Sequence, residues 1–308
     1  MRGWWQDLTD LVLPAECGGC GRPRAVLCAE CRAVLIGAAP CRVRPVPEPA
    51  GLPPVHAAAP YADEVRAALL AHKERGALAL AAPLGAALAG AVRAALEAVR
   101  RPGPAGRPVA SQGWLRHGKG EAGCEREWQE HGGEGARRTG PADRPVLLVP
   151  VPSARRAVRA RGHDPARRIA LAAAGELRRT GTPARVLGVL RQRRPVADQS
   201  GLNSRQRLDN LAGALEVVAG GARLLAEGGR VVLVDDLMTT GASLTEAARA
   251  LRVARAAAEG VHSARERLEL PEVDGRIVGT GQVRGTHGDM VCSAVVAAPP
   301  DAFEINRN

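Results

Sequence analysis

The sequence predicts an α/β protein built on a parallel sheet, preceded by a small four-cysteine module and Ala-rich helices. Three observations carry that prediction. Beyond residue 145, short apolar runs alternate with helical segments, as in a parallel sheet with crossover helices. Two alanine-rich stretches between residues 60 and 100 repeat their apolar residues at helical spacing. Four of the seven cysteines fall in the first 31 residues. At 308 residues the chain can bury one large core and carry a small module besides. Aromatics make up only 2%, so Ala, Val and Leu must do the packing. The net charge of +11, carried largely by arginine, favours anionic partners without choosing among phosphorylated metabolites, nucleic acid and membrane surfaces.

The N-terminus "MRGWWQDLTDLVLPAEC" has one positive charge, and Asp7 and Asp10 break its apolar stretch, which argues against a signal peptide. No apolar run reaches the roughly 20 residues of a membrane span, so no transmembrane segment and a cytoplasmic location are expected. Residues 1–45 form the cysteine module. Cys17-x2-Cys20 and Cys28-x2-Cys31 are two knuckles whose four thiolates suit tetrahedral zinc in a segment with little other core. A redox pair or disulfides, and inert cysteines, are the alternatives. Cys41 has no CxxC partner of its own, Cys124 looks unrelated, and Cys292 is expected inside the last strand.

A Pro-rich connector, Pro40 to Pro60, leads to the helical part at 60–100. Its first helix is predicted at about Ala62 to Glu74, its second at about Leu78 to Val99 with Pro83 as a boundary or kink. Residues 102–144 lose apolar periodicity and are rich in Gly, Glu, Arg and His; a disordered insertion is expected there. The core, 145–308, is predicted as strand 146–152, helix 164–178, strand 184–190, strand 230–236, helix 242–251 and strand 291–298. A second insertion, partly disordered, is expected at 253–290.

One junction carries most of the chemistry. "VVLVDDLMTTGAS" runs a buried strand into Asp235 and Asp236, then through Thr239, Thr240, Gly241 and Ser243 into a helix. Ligands of parallel α/β sheets bind beyond the carboxyl ends of the strands. The hydroxyls and free N–H groups of the loop make an anion cradle, strengthened by the helix dipole, and Gly241 lets the backbone approach closely. Carboxylates beside such a cradle suit hydroxyls or a bridging metal, so a ribose 5-phosphate satisfies both halves.

The segment closely resembles the phosphoribosyl-pyrophosphate (PRPP) motif of type I phosphoribosyltransferases, a Rossmann-like fold. The resemblance implies that Asp235 and Asp236 hold the ribose hydroxyls and stabilise the reacting sugar, with Thr239, Thr240, Gly241 and Ser243 on the 5-phosphate and magnesium on the diphosphate. Between Arg155 and Arg207 stand fourteen arginines against three acids. Arg155, Arg156, Arg159 and Arg161, in "SARRAVRARGHD", are candidates for the diphosphate, since a guanidinium fork matches phosphate oxygens. A second cluster, "RQRRPVADQSGLNSRQRLDN", lies where the family carries a mobile loop. The spacing of Gln199, Leu202, Arg205, Arg207 and Asn210 resembles the ComF branch of late-competence proteins. "VPVPSARRAVRARG" and "YADEVRAALLAHKERG" are similar too, with Lys73 at that family's lysine position. Where family members often have Asn-Gln, this chain has His163, Asp164 and Pro165; of the seven histidines only His163 stands near the arginines, and a surface role is expected for it.

The resemblance implies a PRPP-binding phosphoribosyltransferase-type protein with a zinc module that serves DNA uptake. Direct partners would be single-stranded DNA or DNA-uptake and recombination proteins. A zinc-ribbon single-stranded-DNA binder and a non-catalytic PRPP sensor are the alternative readings. No acceptor site is evident: Phe303 is the one aromatic beyond residue 128, placed to cap an acceptor or to plug the end of the sheet.

Overall fold

The computed structural model describes residues 16–100, 144–196, 201, 203–226, 229–268 and 291–306. A six-stranded sheet runs through the middle, in the order β1 (Cys41–Val43), β2 (Val55–Pro60), β8 (Cys292–Ala298), β7 (Arg230–Leu237), β3 (Val146–Pro150), β4 (Ala184–Val186). All neighbours pair parallel except β1 on β2. Its inner strands are buried on both faces, which is why they read as unbroken apolar runs rather than alternating ones.

Alternate strand residues feed two cores. Val146, Leu148, Val232 and Val234 pack with α3 (Ala81–Arg100) and α5 (Pro165–Arg179). Leu147, Val149, Val231 and Leu233 pack under α8 (Ala242–Leu268). The chain passes from β3 to β4 in one direction along the sheet and from β7 to β8 in the other. Strands β3 and β7 are neighbours, paired from Val146↔Arg230 to Pro150↔Val234. The order therefore reverses between them, and a crevice opens at their carboxyl ends.

Helix α2 (Asp63–Glu74) and α3 fall where the periodicity predicts. Pro83 does not break α3; it lies in the first turn, where its missing N–H removes no helical bond. Gly85 of α3 lets α5 come close: a Cβ there would lie 2.5 Å from the Cβ of Ala172 and 2.8 Å from the backbone N of Ala173. Leu78–Arg100 is 23 residues long, and an 18-residue window of it has a mean hydropathy of 1.6, which passes for a membrane span by length and composition alone. Its apolar side is instead spent on the core, with 61% of that window buried.

Three further expectations are corrected. The Pro-rich connector supplies β1 and β2; "VHAAAP" has weak strand propensity, but the open edge of β8 gives it a partner. The strand expected at 184–190 is split at Gly188: Ala184–Val186 joins the sheet, and β5 (Leu190–Gln192) instead pairs antiparallel with β6 (Leu215–Val217). The helix after β7 continues to Leu268, because "RVARAAAEGVHSARERL" is rich in strong helix formers, so the expected insertion at 253–290 begins as helix. Residues 269–290, and all of the expected insertion at 102–144 but Arg144, lie outside the described residues.

Candidate functional site

The crevice holds a cavity of about 510 Å³. One wall is the loop after β3, Val151 to Ala154, with Arg156 and Arg161 of α4 (Arg155–Arg161); the other is the end of β7 with Thr239 and Ser243. Lys73 enters from the end of α2, and its Nζ lies 3.0 Å from Oδ2 of Asp236. Strand parity explains the meeting. Asp236 shares its side of the sheet with Val232 and Val234, the side covered by α2 and α3.

Asp236 is buried and Asp235 partly exposed. Burial first, and then the charge of Asp236, push the Asp235 carboxyl well above the usual carboxylate range, although Lys73 and the Asp236 N–H work against them. That N–H donates to Oδ1 of Asp235 at 2.9 Å. Burial opposes the charge of Lys73, but Asp236 and Asp235 outweigh it and hold the ammonium above its ordinary value. Two carboxylates, Asp235 and Asp236, thus face three cations around the cavity, Lys73, Arg156 and Arg161, the last of them paired with Glu74.

The loop from Met238 to Gly241 leads into α8. Gly241 has φ +76, a region that disfavours any side chain, and a Cβ there would press on Leu52 at 3.0 Å. The turn and its packing on Leu52 by themselves require glycine here. The Gly241 carbonyl accepts from the N–H and hydroxyl of Thr245, while the first-turn N–H groups of α8 face outward, as at every helix start.

The predicted arginines divide. Arg161 lines the cavity and is clamped by Glu74, with Nε at 2.9 Å and Nη2 at 2.8 Å from its two carboxylate oxygens. Arg207, on α6 (Ser204–Leu211), donates to the Thr239 hydroxyl at 3.3 Å, which brings the second cluster onto the loop after β7. Arg205 is exposed on α6 and lines no cavity described here. Arg155 and Arg159 line a neighbouring cavity rather than this one. Asn203 and Gln206 form a capping box that starts α6, and Asn210 accepts through its carbonyl from Arg194. Gln199 and Leu202 lie outside the described residues.

Sequence reasoning missed two supports. Buried Glu246 of α8 accepts the Leu215 N–H at 2.9 Å and pairs with Arg249, whose Nη2 donates to the Leu215 carbonyl; together they pin β6 to α8. His163 is buried, not a surface residue. Its ring nitrogens lie 3.2 Å from the carbonyls of Arg161 and His72, tying the arginine helix to the end of α2. No local signal marks Glu246, and His163 is marked only by standing next to the arginines. Asp164, in contrast, caps α5 through the Arg167 N–H and accepts from Ser153 of the cavity wall. Phe303 packs against the core beside β1 and β8 and lines neither cavity.

The cysteine module forms a second centre. The Sγ atoms of Cys17, Cys20, Cys28 and Cys31 all lie within 4.8 Å of one another, compatible with a structural zinc site. Burial opposes a thiolate at Cys17, but N–H groups of Cys20, Cys28 and Gly19 outweigh it and bring the thiol down to about 6. Burial and the neighbouring sulfurs push Cys31 up. Four soft donors that compete for protons in this way fit a single divalent cation, which would take all four as thiolates. Gly19 leaves room for the cluster, since a Cβ there would lie 2.8 Å from the Cys31 sulfur. Cys41 stands apart on β1 and Cys292 is buried in β8, as expected; Cys124 lies outside the described residues. No family model matches the chain, and no curated protein matches it.

Proposed function

We propose that this chain is a ComF-like protein of the type I phosphoribosyltransferase fold that binds PRPP or a related ribose phosphate. The observation that carries the reading is the meeting of Asp235, Asp236, Thr239, Ser243, Lys73, Arg156 and Arg161 around one cavity at the switch point of a parallel sheet. The acid pair accepts from the ribose hydroxyls. The Thr239–Ser243 loop, at the positive end of α8, holds the 5-phosphate, and Arg207 steadies it through Thr239. Lys73, Arg156 and Arg161 face the diphosphate. Magnesium accompanies that diphosphate as its counter-ion, with Asp235 and Asp236 as the available oxygen donors.

In this reading turnover is displacement at the anomeric carbon. The diphosphate departs with the bonding electrons, and the acid pair stabilises the positive charge left on the sugar. Zinc occupies the four-thiolate centre. The family resemblance supplies the process, DNA uptake in a cytoplasmic setting.

Calorimetry with PRPP and magnesium tests the reading. Wild type should bind, and the Asp235→Asn, Asp236→Asn double variant should bind at least about tenfold more weakly, as loss of charge-assisted bonds to a ligand requires. Equal binding by both proteins would refute the assignment. Diphosphate release in a panel of nucleobases and amines then separates an enzyme from a sensor.

A further inference from the structure

A second cavity of about 500 Å³ adjoins the first, between α4 and the strand end at Gln192–Val196. The two share Ala154, Arg156, Gln192 and Val196 as a common wall. Five arginines line the second cavity: Arg155, Arg156 and Arg159 on one side, Arg193 and Arg194 on the other. Its lining contains neither Asp nor Glu. We propose that this cavity is a separate anion site, which takes a phosphate-bearing ligand of nucleotide size next to the ribose phosphate.

One of these five, Arg194, and two arginines nearby have evident structural work. Arg161 is held by Glu74, Arg191 by Glu216, and Arg194 donates to the carbonyls of Asn210 and Ala212. Among the described residues no carboxylate pairs with Arg155, Arg156, Arg159 or Arg193. Core packing does not explain their placement either, because α4 buries none of its residues. Arg155 and Arg159 stand at i and i+4, where like charges weaken a helix, and Arg193 adds a further cation across the gap. An anion between them turns that repulsion into attraction, and guanidinium forks fit phosphate oxygens bidentately.

The volume lies within the range of small-molecule sites, about 300–1,000 Å³. The lining has no aromatic ring, so a flat base would stack on guanidinium planes instead. The shared wall places a ligand here next to one in the first cavity. Given the ribose phosphate reading, on which this one step rests, the second ligand is the acceptor, and it carries a phosphate. The same chemistry is available from a free nucleotide or from the phosphorylated end of a nucleic acid strand.

Calorimetry on the full-length protein with adenosine 5′-monophosphate and with adenosine tests the site. The monophosphate should bind at least about tenfold more tightly than adenosine. Arg193→Glu should weaken it by at least about tenfold, and Arg159→Ala by a similar factor. PRPP binding to Arg193→Glu should change less than about threefold, since solvent screens the intervening distance. The Asp235→Asn, Asp236→Asn variant should keep the monophosphate while losing PRPP, so failure of the ribose phosphate reading leaves a separate signature. Monophosphate binding no tighter than adenosine, or unchanged by Arg193→Glu, overturns the proposal. Abolition of monophosphate binding by saturating PRPP and magnesium overturns it too, because the arginines would then be serving the diphosphate. A short oligonucleotide with a 5′-phosphate, against the same strand with a 5′-hydroxyl, identifies the source. Tighter binding than the monophosphate supports a strand end, and equal binding supports a free nucleotide.

Discussion

Asp235 occupies its place at a cost to the fold. Its carboxyl lies well above the usual range because burial and the charge of Asp236 both disfavour ionisation. A carboxylate whose folded pKa exceeds its unfolded one destabilises the native state above the unfolded value, and the penalty fades as pH falls through the folded value. Asp235→Asn should therefore raise Tm at pH 7 by about 2 °C or more, while PRPP binding falls. The gain should shrink as pH falls through the raised folded value and vanish below the unfolded one, where Asp235 is neutral in both states. Thermal melts of both proteins across that range check the sign; a lower Tm for Asp235→Asn at pH 7 would contradict it. The pair Asp235-Asp236 and the Thr-Thr-Gly loop were legible in the sequence because they are contiguous. Their partner Lys73 was legible only through the family resemblance, and Glu74 not at all, since it meets Arg161 across 87 residues of chain.

At the scale of elements, two contacts keep the walls of the site in place. The α3–α5 crossing depends on Gly85, and Gly85→Ala forces a methyl against the α5 backbone. Even after the roughly 1 kcal/mol that alanine adds to helix propensity, the crowding should leave a net loss of about 1–2 kcal/mol, read from urea unfolding. The β5–β6 pair is held to α8 by Glu246. Burial opposes the Glu246 charge, but Arg249 and the Leu215 N–H outweigh it and depress the carboxyl below its ordinary 4.5. Its contribution is thus complete above pH 4.5 and disappears as pH falls through the depressed folded value. Amide exchange at Leu215 should speed up in that acidic window before the central strands open, and Glu246→Gln should show faster exchange already at pH 7. These elements also show where pattern reading stops. The helices at 63–74, 81–100 and 165–179 were found to within a few residues, whereas β1, β2, β5 and β6 are short strands that exist because a neighbouring edge accepts them.

At the scale of the molecule, the cysteine module is not a separate bead on the chain. Leu27 and Leu35 lie in the same core as Leu69, Leu80 and Leu84, and Gly18 rests on Leu80. Loss of metal should therefore lower the stability of the whole fold in one transition rather than melt a small unit first. Metal analysis should find about one zinc per chain, and chelation should shift the single thermal midpoint down by several degrees. A protein that purifies without metal and melts unchanged by chelator would refute this.

The sequence by itself determined the parallel α/β class, the two helices before it, the four-thiol knuckles and the acid-pair loop. Each is written in neighbouring residues, so spacing alone reveals it. Only the tertiary structure decided that β3 and β7 are adjacent with the chain order reversing between them. That adjacency brings Lys73 onto Asp236, sets Arg207 against Thr239, and divides the arginines between two cavities. Such meetings depend on which strand lies beside which, and strand order is set by burying both faces of the sheet at once rather than by any local run of residues.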